Sequence, residues 1–481
     1  MSPSIWQASR SFLTPTNSKT HELSNVRTAS TGVLAWATNK FGAKTFAHGV
    51  HPPEHKADTR DLAIESFPLP PLLTIPLSQH IGKPAKPTVG RGEKVVRGQV
   101  IAEPDGFMSV AIHAPAAGVI RKIGPAPNVK GKMETAFFLQ PDPESSQDVA
   151  LGSHFDVDNV SPTEVINAIQ QAGIVGLGGA AFPTHAKVRI PDGKSVDTLL
   201  INGAECEPYL TTDHRVMLEH PRDVMTGIKY LLKACGAKRA IIAIEDNKLN
   251  AAGALRAALP RDRSVGVEVL PVKYPQGAEK MLAKSVLGRE VPSGGLPADV
   301  GVVCVNVGTA ANVGRLLPHR LGLHERVVTV GGEGVKNKGN YCIPIGTTLR
   351  FILETVGTED DLSTVLVGGP MMGNAASSLD IPITKGSTGV IAMTRRQTGA
   401  MIDRHEYACI SCGSCLQACP MFLNPSHMGL LAKNGRYEAM AGDYHLMDCF
   451  ECGCCSFVCP SHIPLVQRFR VAKAAIRKVA S

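Results

Sequence analysis

Long apolar runs are missing from this sequence of 481 residues. No stretch approaches the ~18 apolar residues of a membrane-spanning helix, so we expect any membrane association to depend on partners or an interfacial segment. Charged residues make up only 19% of the chain, and the net charge of +8 is dispersed over it. This distribution disfavours nucleic-acid binding, although a basic docking face for an anionic cofactor or an acidic carrier stays open.

Tryptophan is also rare, and the two present, Trp6 and Trp36, both lie in a polar, acid-poor segment of residues 1–45. The composition resembles that of a transit peptide, but a sustained amphipathic pattern is missing. The segment is then either a loose extension or an arm whose amphipathic indole rings dock a partner or a membrane surface.

A disulfide framework and a hydrolytic triad are absent as well. Four of the 13 cysteines, Cys206, Cys235, Cys304 and Cys342, are scattered through apolar surroundings, which indicates small core residues in a reducing compartment. The 16 histidines show no metal or triad spacing, and no paired carboxylates of a hydrolase emerge.

The other nine cysteines lie between Cys409 and Cys459, in the stretches CISCGSCLQACP and CFECGCCSFVCP. Eight of them form two copies of C-x-x-C-x-x-C-x-x-x-C-P, in which three thiolates hold one [4Fe-4S] cluster and the fourth reaches the other cluster. The spacing therefore predicts cluster 1 on Cys409, Cys412, Cys415 and Cys459, and cluster 2 on Cys449, Cys452, Cys455 and Cys419. The alternative is a pair of structural zinc sites, which rarely carry this third thiol and the final Cys-Pro. Cys454 is an extra thiol, and we expect it to pack without binding iron.

The segment from Ile75 to Ile123 shows short alternating strands separated by glycines, which is typical of an all-β unit. It resembles the barrel-sandwich hybrid of biotinyl and lipoyl domains. In those domains a hairpin lysine carries the prosthetic group, but here the matching stretch reads EPDGF, with Gly106 in the place of the lysine. The resemblance therefore implies the fold without the carrier chemistry.

From about Ser161 to Asn306 the sequence alternates between strand and helix. Ser161 and Glu164 form a capping box that opens a helix ending at Gly173. The apolar runs TLLING, AIIAIED and VEVLPV are separated by helical stretches, which predicts a largely parallel, Rossmann-like sheet. Ligands of such sheets bind at the carboxyl ends of the strands.

Polar segments follow several of these apolar runs. GIVGLGGAAFPTHAK offers glycine amides for a phosphate, although glycine clusters also form plain turns. INGAECEPY, YPQGAEK and VNVGT each follow an apolar segment, and we expect them to converge on one crevice. Each alone could be a solvated loop.

Residues near Glu325 to Gly368 return to β character and resemble the β-grasp module called SLBB. A linker after Gly373 leads to the cysteine-rich end. There Pro464–Ala480 predicts a closing basic helix.

The segments GLGGAAFPT, NGAECEP, YPQGAE and VNVGT resemble, in the same order, the flavin and NADH segments of the 51-kilodalton flavoprotein of respiratory complex I. Together with the barrel, INGAECEPYLTTDHRVM, GGPMMG and the doubled cysteine motif, the arrangement over about residues 46–470 closely resembles the RnfC family. RnfC is a peripheral subunit of the Rnf ion-translocating electron transport complex. The resemblance implies an NADH-oxidising subunit that holds FMN and two [4Fe-4S] clusters.

The resemblance also implies the setting of the protein. It places the chain at the cytoplasmic face of a bacterial inner membrane, beside the membrane subunits and the iron-sulfur subunit of the complex. Electrons would pass between NADH and ferredoxin or flavodoxin, coupled to ion movement by those partners. No nucleic acid is implied.

Matching positions carry the family's site residues onto this sequence. For FMN the resemblance implies Gly176, Gly178, Gly179, Lys187, Asn202, Glu205, Tyr274, Gly277, Glu279, Asn306 and Thr309. For NADH it implies Phe182, by stacking, and Glu207, through ribose hydroxyls or the nicotinamide. Leu177, Ala204 and Ala278 depart from the complex I pattern, which has an arginine and two acids there, and they bear on the strength of dinucleotide binding.

The predicted fold class is a multidomain α/β chain. Its predicted parts are an extension (1–45), a barrel-sandwich hybrid (46–150), a Rossmann-like FMN and NADH domain (151–310), an SLBB β-grasp module (311–390) and a helical two-cluster ferredoxin-like domain (391–481). Two other functions share these features: a flavin and iron-sulfur cobalamin reductase of bacterial microcompartments, and a non-catalytic electron-relay subunit.

Overall fold

The computed structural model describes residues 44–402 and 405–480, without the side chains of residues 400–402, 479 and 480. Trp6 and Trp36 lie outside the described residues, so the docking arm stays a prediction. Within the described ranges, no helix combines the length and the apolar character needed to cross a membrane.

Strands dominate the two ends of residues 44–394, and helices dominate the middle and the C-terminal part. The strands of the described residues are β1 (Ile64–Ser66), β2 (Leu73–Pro76), β3 (Lys86–Pro87), β4 (Lys94–Val95), β5 (Val100–Glu103), β6 (Ile112–His113), β7 (Gly118–Pro127), β8 (Met133–Pro141), β9 (Thr198–Gly203), β10 (Arg239–Glu245), β11 (Val265–Leu270), β12 (Val302–Asn306), β13 (Glu325–Gly331), β14 (Gly339–Pro344), β15 (Leu362–Val367), β16 (Asn374–Ala375) and β17 (Gly389–Thr394). The α-helices are α1 (Pro162–Gln171), α2 (Thr184–Val188), α3 (Thr212–Glu219), α4 (Pro221–Cys235), α5 (Leu249–Ala257), α6 (Glu279–Leu287), α7 (Val307–Leu316), α8 (Leu349–Val356), α9 (Arg395–Ile402), α10 (Ser414–Ala418), α11 (Pro425–Lys433), α12 (Tyr437–Gly442), α13 (Cys454–Phe457) and α14 (Leu465–Ala480).

The barrel unit consists of two antiparallel sheets, β2-β8-β7-β4 and β3-β5-β6, around a shared apolar core. Leu73 and Ile75 of β2 lie opposite Leu139 and Phe137 of β8, and all four are fully buried. Alternate residues of a strand face the same side, so this pairing fills the core from one face. The predicted all-β fold is confirmed, and Gly106 lies in the β5–β6 connection with φ +90°.

Helix α1 begins with the predicted capping box. The Ser161 hydroxyl accepts a hydrogen bond from the Glu164 amide at 3.2 Å, and the Glu164 carboxylate accepts one from the Ser161 amide at 2.7 Å. The chain leaves the helix at Gly173, whose φ of +69° lies in the left-handed region that glycine adopts without strain. Val165 and Ile169 turn the helix onto the central core.

The central sheet is parallel throughout, in the order β11-β10-β9-β12, which confirms the Rossmann-like prediction. The chain runs outward from β9 to β10 and β11, and then returns to place β12 on the opposite side of β9. This reversal is a topological switch point, and the carboxyl ends of the two flanking strands open a crevice there.

Helices α4 and α7 pack against each other with unusually close backbones. A Cβ atom on Gly227 would collide with the Ala310 carbonyl, and one on Gly314 would collide with the Asp223 carbonyl. The two glycines therefore allow a separation that larger residues would prevent. The packing fixes the N-terminus of α7 beside the switch point.

The predicted β character after Glu325 is present as a mixed six-stranded sheet, β1-β14-β13-β17-β15-β16. Leu349, Ile352 and Leu353 of α8 pack against its buried face. Strand β1 precedes the barrel in sequence but pairs in parallel with β14, which the sequence did not predict.

The C-terminal unit is helical and packs around Met428, Met440, Leu446 and Phe469. The predicted closing basic helix is confirmed as α14. It lies across α11 and supplies Phe469 to the core.

Among the described residues, the four scattered cysteines form no disulfide bonds. Cys235, Cys304 and Cys342 are buried in apolar clusters, as predicted. Burial raises the pKa of Cys235 to about 11, so its thiol stays protonated at neutral pH. Cys206 is only partly buried, and its sulfur accepts a hydrogen bond from the Gly277 amide at 3.4 Å.

Candidate functional site

The crevice at the switch point is framed by two asparagines. Asn202 near the end of β9 and Asn306 at the end of β12 are register partners in the parallel sheet. Both side chains are partly exposed, as expected for residues that leave the sheet at its ligand-binding edge.

Asn306 joins three segments of the site. Its Oδ1 atom caps α7 by accepting a hydrogen bond from the Thr309 amide at 3.1 Å, and its Nδ2 atom donates to the Asp213 carboxylate at 2.6 Å. The Thr309 hydroxyl accepts a hydrogen bond from the Leu177 amide at 2.9 Å. The first turn of α7, the start of α3 and the glycine-rich residues 173–187, called the glycine segment, therefore meet at one point.

Asn202 joins the two remaining segments. Its Nδ2 atom donates to the Gly277 carbonyl at 2.8 Å, and its Oδ1 atom accepts from the Ala204 amide at 3.1 Å. A Cβ atom on Gly277 would lie 2.5 Å from the Ala204 carbonyl oxygen, so this close approach needs glycine. The predicted convergence of the four polar segments is thus present in the structure.

The glycine segment folds back on itself and leaves an exposed tip. The Gly176 amide donates to the Phe182 carbonyl at 2.8 Å, which closes the turn. Gly178 and Gly179 are exposed, Gly179 has φ +107°, and no atom lies within 4 Å of a Cβ built on it. Open space beside free glycine amides, next to Asn306, suits the close approach of a phosphate-bearing cofactor.

Lys187 of α2 forms an ion pair with Glu279 at the start of α6. Burial opposes the charge of the lysine, but the attraction of Glu279 outweighs it and raises the pKa of Lys187. The pair therefore places a cation and a partly exposed carboxylate, in direct contact with each other, beside the crevice.

The Glu205 carboxylate turns away from the crevice and towards α3. It accepts hydrogen bonds from the Thr212 hydroxyl at 3.0 Å, the Asp213 amide at 2.9 Å and the His214 amide at 3.3 Å. These contacts satisfy the free amides of a helix N-terminus. Glu205 thus positions Asp213, and its predicted contact with FMN stays a prediction.

Asp213 is a site residue for which the sequence analysis gave no role. Burial raises the pKa of its carboxyl to about 7, and the nearby charge of Glu205 adds to the shift. It lies within the family segment INGAECEPYLTTDHRVM, directly after two threonines that open a helix. Only the fold reveals that it reaches Asn306, 93 residues further along the chain.

Glu207 and Tyr274 lie at the junction with the C-terminal unit. The Glu207 carboxylate accepts hydrogen bonds from the amides of Met371 and Met372 at 2.7 and 3.1 Å, and burial raises its pKa. The Tyr274 hydroxyl donates to the Cys452 carbonyl at 2.6 Å. Among the described contacts, none joins Phe182 to Glu207, so the two residues predicted for NADH are not brought together directly.

Cysteines from both motifs surround one cavity in the C-terminal unit. The cysteines that line it are Cys419, Cys449, Cys452, Cys454 and Cys455. Cys419 belongs to the first cysteine stretch, and the other four belong to the second. Cysteines of both stretches therefore meet at this cavity. Thiols arranged around a space, closed on one side by Phe469, suit a polynuclear iron-sulfur cluster.

The four other cysteines of the two motifs differ in their exposure. Cys409 and Cys412 are exposed, whereas Cys415 and Cys459 contribute to the apolar core of the unit. Burial raises the pKa of Cys415, and the neighbouring thiols of Cys459 and Cys412 act in the same direction. Across residues 44–402 and 405–480, no three His, Cys, Asp or Glu side chains converge tightly enough for a single metal ion.

Three family models match the chain. The RnfC barrel sandwich hybrid domain matches residues 44–144, the Nuo51 FMN-binding domain matches residues 169–315, and a 4Fe-4S dicluster domain matches residues 401–473. Their order is the order of the barrel, the central sheet and the cysteine-rich unit.

Several curated proteins are similar over most of the chain, and each is the C component of a translocating complex. The relative from the proton-translocating ferredoxin:NAD(+) oxidoreductase complex of Clostridium ljungdahlii is 42% identical over 389 residues, which cover 81% of this chain and 84% of the relative. The relative from the Na(+)-translocating complex of Acetobacterium woodii is 38% identical, covering 79% and 86%. The relative from the ion-translocating oxidoreductase complex of Rhodobacter capsulatus is 38% identical, covering 78% and 73%. The chain therefore belongs to the RnfC family of ion-translocating oxidoreductase complexes.

Proposed function

We propose that this protein is the electron-input subunit of a membrane Rnf complex, which exchanges electrons between NADH and ferredoxin through FMN and two [4Fe-4S] clusters. The observation that carries the proposal is the contact between Tyr274 and Cys452. It joins the loop that reaches the flavin crevice to the cysteines that surround the cluster cavity. Partner subunits couple the transfer to ion movement.

The crevice offers each kind of contact that a flavin mononucleotide needs. The exposed amides of Gly178 and Gly179 and the cation of Lys187 are suited to its phosphate. Asn202 and Asn306 present amide groups at the sheet edge, where a ring system is held and oriented. FMN, when bound, supplies the conversion between hydride transfer and single-electron transfer.

The two cysteine sets differ in their distance from the crevice. Cys452 touches Tyr274 through its carbonyl, so the set assigned to cluster 2 lies beside the crevice. Cys409 and Cys412 of cluster 1 are exposed at the surface. This order of sites suits entry of electrons at the crevice and exit at the exposed face towards the iron-sulfur subunit.

For NADH we keep Phe182 and Glu207 as the proposed contacts. The amides of Met371 and Met372 hold the Glu207 carboxylate at the junction with the C-terminal unit. Its position is therefore fixed before the dinucleotide binds. Leu177 is buried, and its amide and carbonyl are both engaged within the protein. The missing arginine is thus replaced by a residue that stabilises the loop.

The names of the relatives, which describe one component of a translocating complex, support a setting at a membrane complex. We place the protein peripherally at the cytoplasmic face of the bacterial inner membrane, bound to membrane subunits and to an iron-sulfur subunit. Ferredoxin or flavodoxin exchanges electrons through those partners. The names of these relatives favour this activity over a cobalamin reductase.

The test is anaerobic absorbance spectroscopy of the full chain after iron-sulfur reconstitution and addition of FMN. We expect about eight irons per chain, bound flavin, and bleaching of both chromophores on addition of NADH. Eight irons without flavin binding would support a relay subunit, and zinc in place of iron would overturn the proposal. The Cys235→Ala variant is the matched control, because this buried cysteine lies in the central core, outside the two cysteine motifs.

A further inference from the structure

Residues 325–394, which carry β13 to β17, form the β-grasp sheet region, and two of its buried basic side chains, Lys385 and Arg326, reach the glycine segment. Lys385 has no exposed surface, and its amine donates to the Gly173 carbonyl at 2.7 Å and to the Ala111 carbonyl at 2.6 Å. Gly173 begins the glycine segment, and Ala111 belongs to the barrel. One side chain therefore ties three units of the chain together.

Arg326 of β13 makes the second connection. Its guanidinium donates to the Leu177 carbonyl at 2.9 Å and to the Ser387 carbonyl at 3.1 Å. Leu177 lies between Gly176 and Gly178. Since its amide donates to Thr309, both backbone groups of Leu177 are fixed from outside the segment.

The loop that carries Lys385 also touches the glycine segment directly. Thr384 and Ser387 hydrogen bond to each other and close this loop into a turn. A Cβ atom on Gly386 would lie 3.0 Å from the Ala181 Cβ atom and 3.6 Å from the Gly179 carbonyl oxygen. The turn therefore lies under the exposed tip of the glycine segment.

We propose that Lys385 and Arg326 are positioning residues for FMN, because they hold the carbonyls of Gly173 and Leu177 and so fix the amides of Gly178 and Gly179 for the phosphate. The inference rests on the proposed function, in which FMN binds at this segment. It assigns to the β-grasp sheet region a part in cofactor binding, although neither cation is among the residues implied for FMN.

The physical reason is the entropy of glycine. A glycine-rich loop loses more backbone freedom on ordering than other sequences, and a loop left free would lose that freedom when the ligand binds. Buried hydrogen bonds from Lys385 and Arg326 to its carbonyls order the loop beforehand. Removing one donor also leaves a buried carbonyl without its partner.

The alternative is that Lys385 and Arg326 only hold the structural units of the chain together and have no effect on FMN binding. Arg97 offers a matched control for that role. It is buried, it joins the barrel to Glu325 at 2.8 Å, and Glu325 directly precedes Arg326, yet the described contacts of Arg97 do not include the glycine segment. An Arg97→Met variant should thus lose stability without losing flavin affinity.

The experiment combines two measurements on the full chain with its clusters: FMN affinity by fluorescence quenching, and hydrogen–deuterium exchange of the flavin-free protein. In Lys385→Met and Arg326→Met we expect FMN affinity to fall roughly tenfold and exchange at residues 177–181 to accelerate. Arg326→Lys retains a donor and should recover part of both losses. Arg97→Met should match wild type in both.

The outcomes separate the inference from the proposed function. If wild type does not bind FMN, the proposed function fails, while faster exchange in the two variants would still show the effect of the cations on the loop. If wild type binds FMN and both variants bind it equally well, the inference is wrong. Equal losses in Arg97→Met would also overturn it. Should Lys385→Met fail to fold, Arg326→Lys and Arg326→Met decide the question.

Discussion

Asn202 and Asn306 are register partners on adjacent parallel strands, yet their side chains serve different loops. Asn202 holds the loop of Gly277, and Asn306 holds Asp213 and the first turn of α7. The switch point between β9 and β12 therefore fixes three segments through two neighbouring amides.

Replacement of Asn306 by alanine should weaken FMN binding and destabilise the protein by about 1 kcal/mol, the usual effect of removing an N-cap. Fluorescence titration with FMN and urea unfolding measure the two effects. Thr348→Ala is the matched control, because Thr348 caps α8 far from the crevice by accepting from the Phe351 amide. Equal flavin affinity in Asn306→Ala and Thr348→Ala would contradict the assignment of Asn306.

The crossed arrangement of cysteines predicts which variants resemble each other. Cys419→Ala should lose the same cluster as Cys452→Ala, and Cys459→Ala the same cluster as Cys409→Ala, each leaving about four irons. Iron analysis and EPR spectra of the reduced variants distinguish the two remaining clusters. If Cys419→Ala instead matched Cys409→Ala, each motif would hold its own cluster and the crossing would be wrong.

The raised pKa of Asp213 predicts that the folded protein loses stability as pH rises. Burial and the charge of Glu205 raise its pKa from 3.8 to about 7, so between those values the folded state binds more protons than the unfolded state. The free energy of unfolding should then fall by up to about 1.4 kcal/mol per pH unit across this window. Urea unfolding of the flavin-free protein at pH 5 and pH 8 tests this, with Asp213→Asn as the reference. Parallel pH profiles of the two proteins would refute the prediction.

The lowered pKa of Lys385 predicts the opposite trend, a gain of stability as pH rises, at higher pH. Burial lowers its pKa from 10.5 to about 7, so between those values the unfolded state binds more protons. The free energy of unfolding should rise with pH over that range, by up to about 1.4 kcal/mol per pH unit. His80 and His113 face Lys385, but burial lowers the pKa of both, so they stay neutral in this range. The difference between wild type and Lys385→Met at pH 7 and pH 9 isolates the lysine, and a constant difference would show that Lys385 does not titrate there.

The sequence was sufficient for features that depend on local chemistry. The capping box of Ser161 and Glu164, the parallel strands and the helix that begins at Leu465 follow from hydrophobic period and cap residues. The convergence of the polar segments also followed, since parallel strands end at one edge of the sheet. The residue identities at the site came from family resemblance, and their roles stay predictions.

Contacts between distant parts of the chain could not be predicted. Family resemblance implies Glu205 for FMN, and only the fold shows that its carboxylate accepts hydrogen bonds at the start of α3. Lys385 reads as a loop lysine beside glycine, a composition typical of solvent-exposed turns, yet it is fully buried between three units. Such contacts depend on how the units dock, for which a single sequence carries no periodic signal.

Strand β1 bears on how this protein is made. A ribosome releases residues 64–66 early, but their partner strand β14 emerges more than 270 residues later. The Gly49 amide donates to the Ala418 carbonyl, and this partner is synthesised even later than β14. Gly49 and strand β1 therefore stay without these partners until synthesis is nearly complete. A nascent chain truncated before the cysteine motifs lacks the Ala418 carbonyl to which the Gly49 amide donates.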